Sequence, residues 1–216
     1  MNHSRLLAAL CILLLSSFPL QSSAQEKKNL LDFTIGGEFI PSNSLAADVG
    51  TGSREIRYSS SMSLELNYGR QLYQFHRSEL WLDVPALVGP NHRIANGDAL
   101  LPTSNATFYV TPSARLAFPS AHGLTPWVSL GGGYGLFETS DYFAGGANNP
   151  TIHTHTGVLQ FGGGVDVKTP LRLLVPIGLR GEFRDFYALR EPIFPVPVTG
   201  QSQHGLTFGG GITARF

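Results

Sequence analysis

The sequence is poor in cysteine, in charged residues and in long apolar runs. It has one cysteine, Cys11, in 216 residues, so a disulfide framework cannot hold the fold together. Asp, Glu, Lys and Arg make up only 14% of the chain, against roughly 25% in an average soluble domain. The formal net charge is +0, which argues against nucleic acid as a partner.

The first 24 residues have the pattern of a secretory signal peptide. Arg5 supplies a positive start, residues 6–15 are apolar, and residues 22–24 are small, as at a cleavage site. The apolar run is shorter than the roughly 20 residues that a membrane-spanning helix needs. We predict that residues 1–24 are removed and that residues 25–216 form one exported domain.

The rest of the chain is dominated by alternation of apolar and polar residues. In the last segment, for example, Leu206, Phe208 and Ile212 alternate with small or polar residues. A period of two predicts β-strands rather than helices. We predict eight such strands: 31–40, 57–69, 79–88, 106–118, 127–138, 155–168, 172–187 and 204–216.

The connections between these segments alternate in length. The long ones are 41–56, 89–105, 139–154 and 188–203, and the short ones are 70–78, 119–126 and 169–171. If successive strands run in opposite directions, all long connections lie at one end of the sheet. Outer-membrane barrels have this asymmetry and an even number of strands. The pattern therefore predicts an all-β, eight-stranded, antiparallel, up-and-down transmembrane β-barrel.

Aromatic spacing gives a dimensional check on a membrane-spanning wall. Tyr58 and Tyr68 are ten residues apart on one predicted face, as are Phe108 and Phe118. At about 3.4 Å per residue this is roughly 34 Å along a strand. A tilt of about 45° projects it to about 24 Å, close to the apolar band between aromatic girdles.

Four residues disturb the predicted strands. Pro85, Pro112 and Pro176 each remove a hydrogen-bond donor, so we expect bulges or kinks there. Asp185 would point into lipid if strict alternation continued. We therefore expect the seventh strand to slip in register or to leave the membrane after Phe183.

Residues 126–135, Pro-Trp-Val-Ser-Leu-Gly-Gly-Gly-Tyr-Gly, and the terminal Phe216 resemble the small bacterial outer-membrane β-barrel family. The OmpX-like and OmpW-like groups and the OmpA transmembrane domain are its lone-barrel forms. The resemblance implies a location in the outer membrane of a Gram-negative-type bacterium, with membrane lipid and lipopolysaccharide as neighbours. It also implies that the barrel-assembly machinery reads the closing strand, with Phe216 as the insertion signal. The oligomeric state stays open.

Periodicity separates two faces without saying which one is inside. A soluble lipocalin-like barrel would enclose the apolar face around a ligand. The polar face here is rich in Gly, Ser and Thr, whereas a soluble surface carries more Lys and Glu. The terminal Phe216 and the alternation of connection lengths also favour the inverted arrangement. We therefore expect the polar face to line the lumen.

An eight-stranded barrel is only wide enough to be filled by its own side chains. Charges enclosed there would be costly unless they were paired. We therefore predict a lumen charge network that blocks the barrel, with a gated or narrow polar pore as the alternative. Its predicted members are Asp32, Glu38, Glu65, Glu79, Asp83, Arg115, Arg180, Glu182, Arg184 and Arg215, with Lys168 beside them. The expected pairs are Arg215 with Asp32, Arg115 with Glu79, and Arg180 and Arg184 with Glu38 and Glu65.

Other motifs give no cofactor or metal site. The glycine runs 131–133, 162–164 and 209–211 lie within predicted strands, so they indicate bends rather than phosphate-binding loops. His153 and His155 lack the further ligands that a metal site needs, and His92 and His204 would join them only if the loops converged.

The expected function is non-enzymatic: a structural or loop-presenting role in the cell envelope. One alternative is a passive channel for small or apolar solutes. A second is modification of lipid A by a serine, a histidine and an acid near the outer rim. The candidate groups for that chemistry are Ser59, Asp141, His153, His155 and His204.

Overall fold

The computed structural model describes residues 28–41, 46–48, 53–55, 57–95, 104–120, 122–140, 151–172, 175–190, 198–199 and 203–216. The predicted signal peptide lies outside this part of the chain. The strands are β1 (Asn29–Phe39), β2 (Ala46–Asp48), β3 (Ser53–Glu55), β4 (Arg57–Tyr58), β5 (Ser61–Gln74), β6 (Glu79–Ala95), β7 (Ser104–Val110), β8 (Ser113–Ala117), β9 (Leu124–Ser140), β10 (Ile152–Arg172), β11 (Pro176–Ala188), β12 (Val198–Thr199) and β13 (Gln203–Arg215). Within these ranges, no helix has the length and apolarity to cross a bilayer.

The main sheet closes on itself. Strand β1 pairs antiparallel with β5 on one side and with β13 on the other. The ring continues from β5 through β6, the β7 and β8 pair, β9, β10 and β11 back to β13. Strands β7 and β8 are two parts of one wall strand, so the wall has eight strands. This confirms the predicted antiparallel up-and-down barrel, and β2, β3 and β12 form a small separate sheet.

The outward face of the wall is apolar and the inward face is polar. Leu130, Phe208 and Ile212 are 58%, 58% and 53% exposed. Arg180 and Glu65, on the opposite face, are only 3% and 4% exposed. This is the inverse of a soluble binder, in which the apolar face would be enclosed, and it matches a wall that faces acyl chains.

The two ends of the barrel differ. Asn29 and Phe216 exchange backbone hydrogen bonds of 3.0 Å at one end, which we call the terminal rim. The turn at 75–78 lies at this end, as do residues 118–120 and 122–123. At the opposite end, the loop rim, are the strand ends that flank the long connections. Two of them are shorter than predicted, because β6 continues to Ala95 and β10 begins at Ile152.

The expectation that Tyr58 shares the outward face with Tyr68 is wrong, because Tyr58 is only 8% exposed. The strand is interrupted at residues 59–60, between β4 and β5, and this break changes the parity. Of the two alternatives for Asp185, the register slip is wrong, because β11 stays paired through Ala188 with both β10 and β13. That the strand leaves the membrane after Phe183 stays a prediction.

Two of the three strand prolines, Pro85 and Pro112, lie at one irregularity of the wall. The fourth wall strand is interrupted at residues 111–112, between β7 and β8. Pro85 lies opposite this gap, and its carbonyl accepts a 3.2 Å hydrogen bond from the Thr111 backbone N–H. On its other side Pro85 keeps its register with Asn67, so the bulge expected there is absent. Pro176 is the first residue of β11, a position where the missing donor costs little.

Candidate functional site: the filled lumen

Arg180 lies at the centre of the charged layer nearer the terminal rim. Its Nε and Nη2 donate to the two carboxylate oxygens of Asp166 at 2.7 and 2.9 Å. Its Nη1 donates to Oδ2 of Asp32. A guanidinium that bridges two carboxylates through separate nitrogens is held in one orientation. Strands β1, β10 and β11 are therefore tied together through the lumen.

A second arginine extends the layer to the other side of the barrel. Arg115 Nε lies 3.0 Å from Oδ2 of Asp83, and its Nη1 lies 3.5 Å from Oδ2 of Asp166. Asn67 donates a 2.9 Å hydrogen bond to Asp32. Asp166 is thus shared by Arg115 and Arg180, so the layer is one connected network rather than a set of isolated pairs.

Two indole rings fill the space between these charges. The guanidinium carbons of Arg115, Arg180 and Arg184 lie 5.6, 5.0 and 5.3 Å from the ring centroid of Trp127. Trp81 lies below Arg115 and Arg215 at 5.2 and 5.1 Å. These are cation–π distances, and such contacts gain strength where water is excluded.

Gly164 makes room for the Trp127 ring. A Cβ at this position would lie 2.6 Å from Cζ2 of the indole and 2.4 Å from the Gly181 carbonyl oxygen of β11, both closer than van der Waals contact allows. Trp127 also donates its indole N–H to Oδ1 of Asp166 at 3.3 Å. The glycine in β10 therefore serves the packing of the lumen, in addition to the bending predicted for this glycine run.

A third arginine lies nearer the middle of the barrel. Arg184 Nη2 contacts Glu65 Oε1 at 3.0 Å and Glu182 Oε2 at 3.1 Å. Glu65 and Glu182 also line a small cavity of about 10 Å³, which is room for about one water molecule. The lumen is therefore closely filled at this level.

The half of the lumen nearer the loop rim contains a cluster of apolar side chains among buried polar residues such as Asn105, Thr139 and Thr154. Tyr109 stacks on Phe186 with ring centroids 4.7 Å apart and meets Phe137 edge-on at 6.0 Å. All three rings are almost completely buried. The whole cluster consists of Leu87, Tyr109, Phe137, Val158, Phe186 and Ala188.

A polar contact lies beside this apolar cluster. Glu38 Oε2 accepts a 2.7 Å hydrogen bond from the Thr107 hydroxyl and lies 3.0 Å from His92 Nε2. His92 Nδ1 faces the Ser59 carbonyl oxygen at 2.9 Å. A carbonyl oxygen only accepts, so Nδ1 carries a proton and fixes the ring orientation. Glu38 is therefore held by β6 and β7 rather than by an arginine.

Several predicted pairings differ in the structure. Arg215 Nη1 lies 3.5 Å from Glu79 Oε2 rather than beside Asp32. Arg115 contacts Asp83 and Asp166 instead of Glu79, because Glu79 lies at the rim, where the Trp81 indole N–H donates to it at 3.0 Å. Arg184 reaches Glu65, the partner expected from the sequence.

The remaining differences concern Arg180 and Lys168. Arg180 is occupied by Asp32 and Asp166 and does not contact Glu38. Lys168 is exposed rather than enclosed in the lumen. It lies near the end of β10, where its backbone N–H donates to the carbonyl of Gly123 in the neighbouring turn.

Sequence reasoning missed three important lumen residues. Asp166 is the acid shared by two arginines, and Trp81 and Trp127 are the rings on which the arginines stack. Their positions alternate with outward apolar residues, so strand parity places all three inside the barrel. Nothing else in the sequence indicated that they would bind or stack on the arginines.

The candidate catalytic and metal-binding groups lie apart. His153 Nδ1 is 3.8 Å from Glu138 Oε2, and His204 Nδ1 is 3.0 Å from the Asp185 carboxylate. His155 contacts the Tyr134 hydroxyl. Ser59 accepts a hydrogen bond from the Arg93 backbone N–H, and Asp141 lies outside the described residues. Within the described ranges, no three His, Cys, Asp or Glu side chains are grouped so as to hold a metal ion.

A closed antiparallel cylinder with an apolar exterior and a polar, filled interior defines a membrane-type β-barrel. Solved structures with this architecture are similar to the chain. Neisserial surface protein A, NspA, matches with a TM-score of 0.51 and 13% identity over 90% of this chain and 100% of that chain. The outer membrane protein AlkL, solved in DMPC bilayers, matches with a TM-score of 0.51 and 13% identity over 93% and 95%.

These similarities concern the fold. The protein has the fold of the small eight-stranded outer-membrane β-barrels, the architecture to which the sequence resemblance pointed. No protein-family model matches the sequence, and no curated protein matches it either.

Proposed function

We propose that the protein is a closed, non-enzymatic barrel of the outer membrane of a Gram-negative-type bacterium. In this proposal it stabilises the membrane and presents its long connections outside the cell. The terminal rim faces the periplasm and the loop rim faces outward. The asymmetry of the connections supports this orientation, since outer-membrane barrels place short turns in the periplasm.

The filling of the lumen is the observation that carries the proposal. Arg115 and Arg184 are completely buried, and Arg180 is 3% exposed. Above them, Tyr109, Phe137 and Phe186 pack ring against ring. A permeating ion would have to displace both the charged layer and the apolar cluster. Each displacement is costly, because it separates buried charges or breaks close packing.

The proposed partners follow from the surface. The exposed apolar belt, which includes Phe33, Leu130 and Ile212, would face the acyl chains of phospholipid and of lipopolysaccharide. The barrel-assembly machinery would read β13, with Phe216 as the insertion signal. Replacing Phe216 with serine would then slow assembly in cells but leave refolding in detergent intact.

Conductance of the purified protein in planar bilayers tests the proposal directly. We expect no discrete current from the wild type. Trp127→Ala combined with Phe186→Ala removes one ring from each half of the lumen and serves as the opened control. A stable unitary current from the wild type would overturn the closed-barrel proposal and favour a channel.

A second measurement addresses catalysis on lipid A. Within the described ranges, His153 and His204 bond to acids, and neither makes a hydrogen bond to a serine. This supports a non-enzymatic role. Mass spectrometry of lipid A should therefore show the same acyl pattern in cells with and without the gene. Loss or gain of an acyl chain that depends on His153 or His204 would establish an enzyme instead.

A further inference from the structure

We propose that the terminal rim is a binding surface for the anionic headgroups of phospholipids in the adjoining leaflet. This inference rests on the proposed membrane location and goes beyond it by assigning a lipid chemistry to one end of the barrel. The surface comprises the exposed side chains of the β5–β6 hairpin and of the end of β10.

Positive charges are in excess among the described residues of this rim. Its exposed basic residues include Arg70, Arg77 and Lys168, with His76 and His122 near them. The acid side chain described at this end is Glu79, which is engaged by Arg215 and by the indole N–H of Trp81, and the α-carboxylate of Phe216 lies at the same end. Neither acid group pairs with Arg70, Arg77 or Lys168 in the described part of the chain, so these three side chains give the rim a positive excess.

The loop rim provides the contrast within the same molecule. Its exposed arginines, Arg93 and Arg190, share that end with Glu138 and Asp185. These two acids each contact a histidine, at 3.8 and 3.0 Å. Among the described residues, the two signs of charge are therefore balanced at the loop rim, whereas positive charge is in excess at the terminal rim.

Apolar side chains project between the basic groups. Leu72, Tyr73 and Phe75 at the end of the β5–β6 hairpin are 57%, 59% and 50% exposed. The rings of Tyr73 and Phe75 lie 4.7 Å apart. Tyr73 pairs with Leu80, which places it on the side of the sheet that faces lipid. Leu171 repeats the pattern beside Lys168, with 61% exposure.

This arrangement favours a lipid surface over a protein partner. The basic and apolar side chains come from the β5–β6 hairpin and from the end of β10, which lie on different sides of the ring, and they continue the lipid-facing belt beyond its edge. A planar leaflet contacts the whole perimeter at once, whereas a globular protein would cover one sector. Aromatic rings settle at the level of headgroups, and long basic side chains extend to phosphates from an apolar surface.

The physical basis of the preference is electrostatic. A basic side chain near an anionic membrane surface favours binding by about fivefold. Arginine can also bind a phosphate through hydrogen bonds from two of its nitrogens. Salt weakens the attraction, because exposed charges are screened over about 10 Å at 0.1 M ionic strength.

Native mass spectrometry of the purified, folded protein tests this preference. The protein is equilibrated with equimolar phosphatidylglycerol, which is anionic, and phosphatidylethanolamine, which is zwitterionic. We expect the wild type to retain more phosphatidylglycerol. Arg70→Gln combined with Arg77→Gln should reduce that ratio at least about fivefold. The charge-matched control, Arg93→Gln with Arg190→Gln at the loop rim, should keep the wild-type ratio.

A second measurement uses the wild-type protein alone, so it does not depend on the folding of a variant. Raising NaCl from 0.1 to 0.5 M before lipid addition should reduce the preference of the wild type. Equal retention of the two lipids by the wild type would overturn the inference and favour a protein as the partner of the rim. An equal loss in both double variants would also overturn it. A folded, non-conducting barrel without lipid preference would contradict this inference alone, whereas a conducting wild type would contradict the proposed function.

Discussion

The two halves of the lumen are filled by different chemistry. Near the terminal rim, Arg115 and Arg180 hold three aspartates from different strands and stack on Trp127. Near the loop rim, Tyr109 and Phe186 belong to a cluster of packed apolar residues, with the Glu38 hydrogen bonds beside it. Ion pairs between arginines and aspartates are found in the first half, whereas packed aromatic rings are at the centre of the second. The difference implies that single substitutions should act more strongly in the charged half.

The expected difference follows from what happens to the residues around a truncated side chain. Truncating an aromatic ring leaves a cavity into which the surroundings partly relax. Removing one member of a buried ion pair leaves an opposite charge that the lumen cannot solvate. Substitutions in the two halves, and on the outer wall as a reference, therefore test the comparison.

Arg180→Ala should have the largest effect. It leaves Asp32 without its arginine, and leaves Asp166 with the longer contact to Arg115 and the hydrogen bond from the Trp127 indole N–H. Breaking a buried pair in this way costs about 3–5 kcal/mol. The urea midpoint of refolding into vesicles measures this loss, with Leu130→Ala on the outward face as the reference. A loss no greater than that of the reference would show that water solvates the carboxylates and that the charged half is open.

Gly164→Ala should have the next largest effect. The added methyl group would lie 2.4 Å from the Gly181 carbonyl oxygen and 2.6 Å from the Trp127 ring, and over-packing of this kind costs about 1–3 kcal/mol. The displaced indole should also change its fluorescence emission. Gly181→Ala is the matched control, because a Cβ there meets nothing within 4 Å. Equal effects of the two substitutions would contradict the close packing of Trp127 against β10.

Phe186→Leu should have a smaller effect. It keeps an apolar side chain at the site but removes the ring that stacks on Tyr109. Such a pair contributes about 0.5–1.5 kcal/mol beyond its buried area. A double-mutant cycle with Tyr109→Leu isolates this coupling. A coupling near zero would mean that the loop half is held by buried area alone.

Asp185→Asn should have the smallest effect. The pair with His204 is 22% and 37% exposed at its two side chains, and a pair of this kind contributes about 0–1 kcal/mol. The same urea titration measures it. A loss comparable to that of Arg180→Ala would show that this outward pair is as strongly desolvated as the lumen charges.

The sequence predicts the faces of the wall well, because parity is a local property. From Phe33 to Ile212, an alternation of two residues is enough to place a side chain inside or outside. The prediction fails for Tyr58, because the strand is interrupted between β4 and β5 and the alternation of inward and outward residues shifts by one position there. Strand parity holds only as long as the strand is continuous.

Partners within the lumen are harder to predict. Arg115 lies between Glu79 and Asp83 on the neighbouring strand, and parity treats the two acids alike. Trp81 holds Glu79 at the rim, so Arg115 takes Asp83. The choice depends on the tilt of the strands and on which side chain fills the remaining space. Neither can be obtained from the spacing of residues along one strand.

The unbroken ring of β-ladders has a consequence for the lifetime of the protein. Strand β1 is held on both sides, by β5 and by β13, so in the described part of the chain each wall strand is paired with two neighbours and offers no free edge. Opening the cylinder anywhere requires the separation of a whole ladder at once. The lifetime of the folded protein in the envelope is therefore governed by the activation barrier to opening the cylinder. Proteolysis of the wall would require such an opening, which is rare.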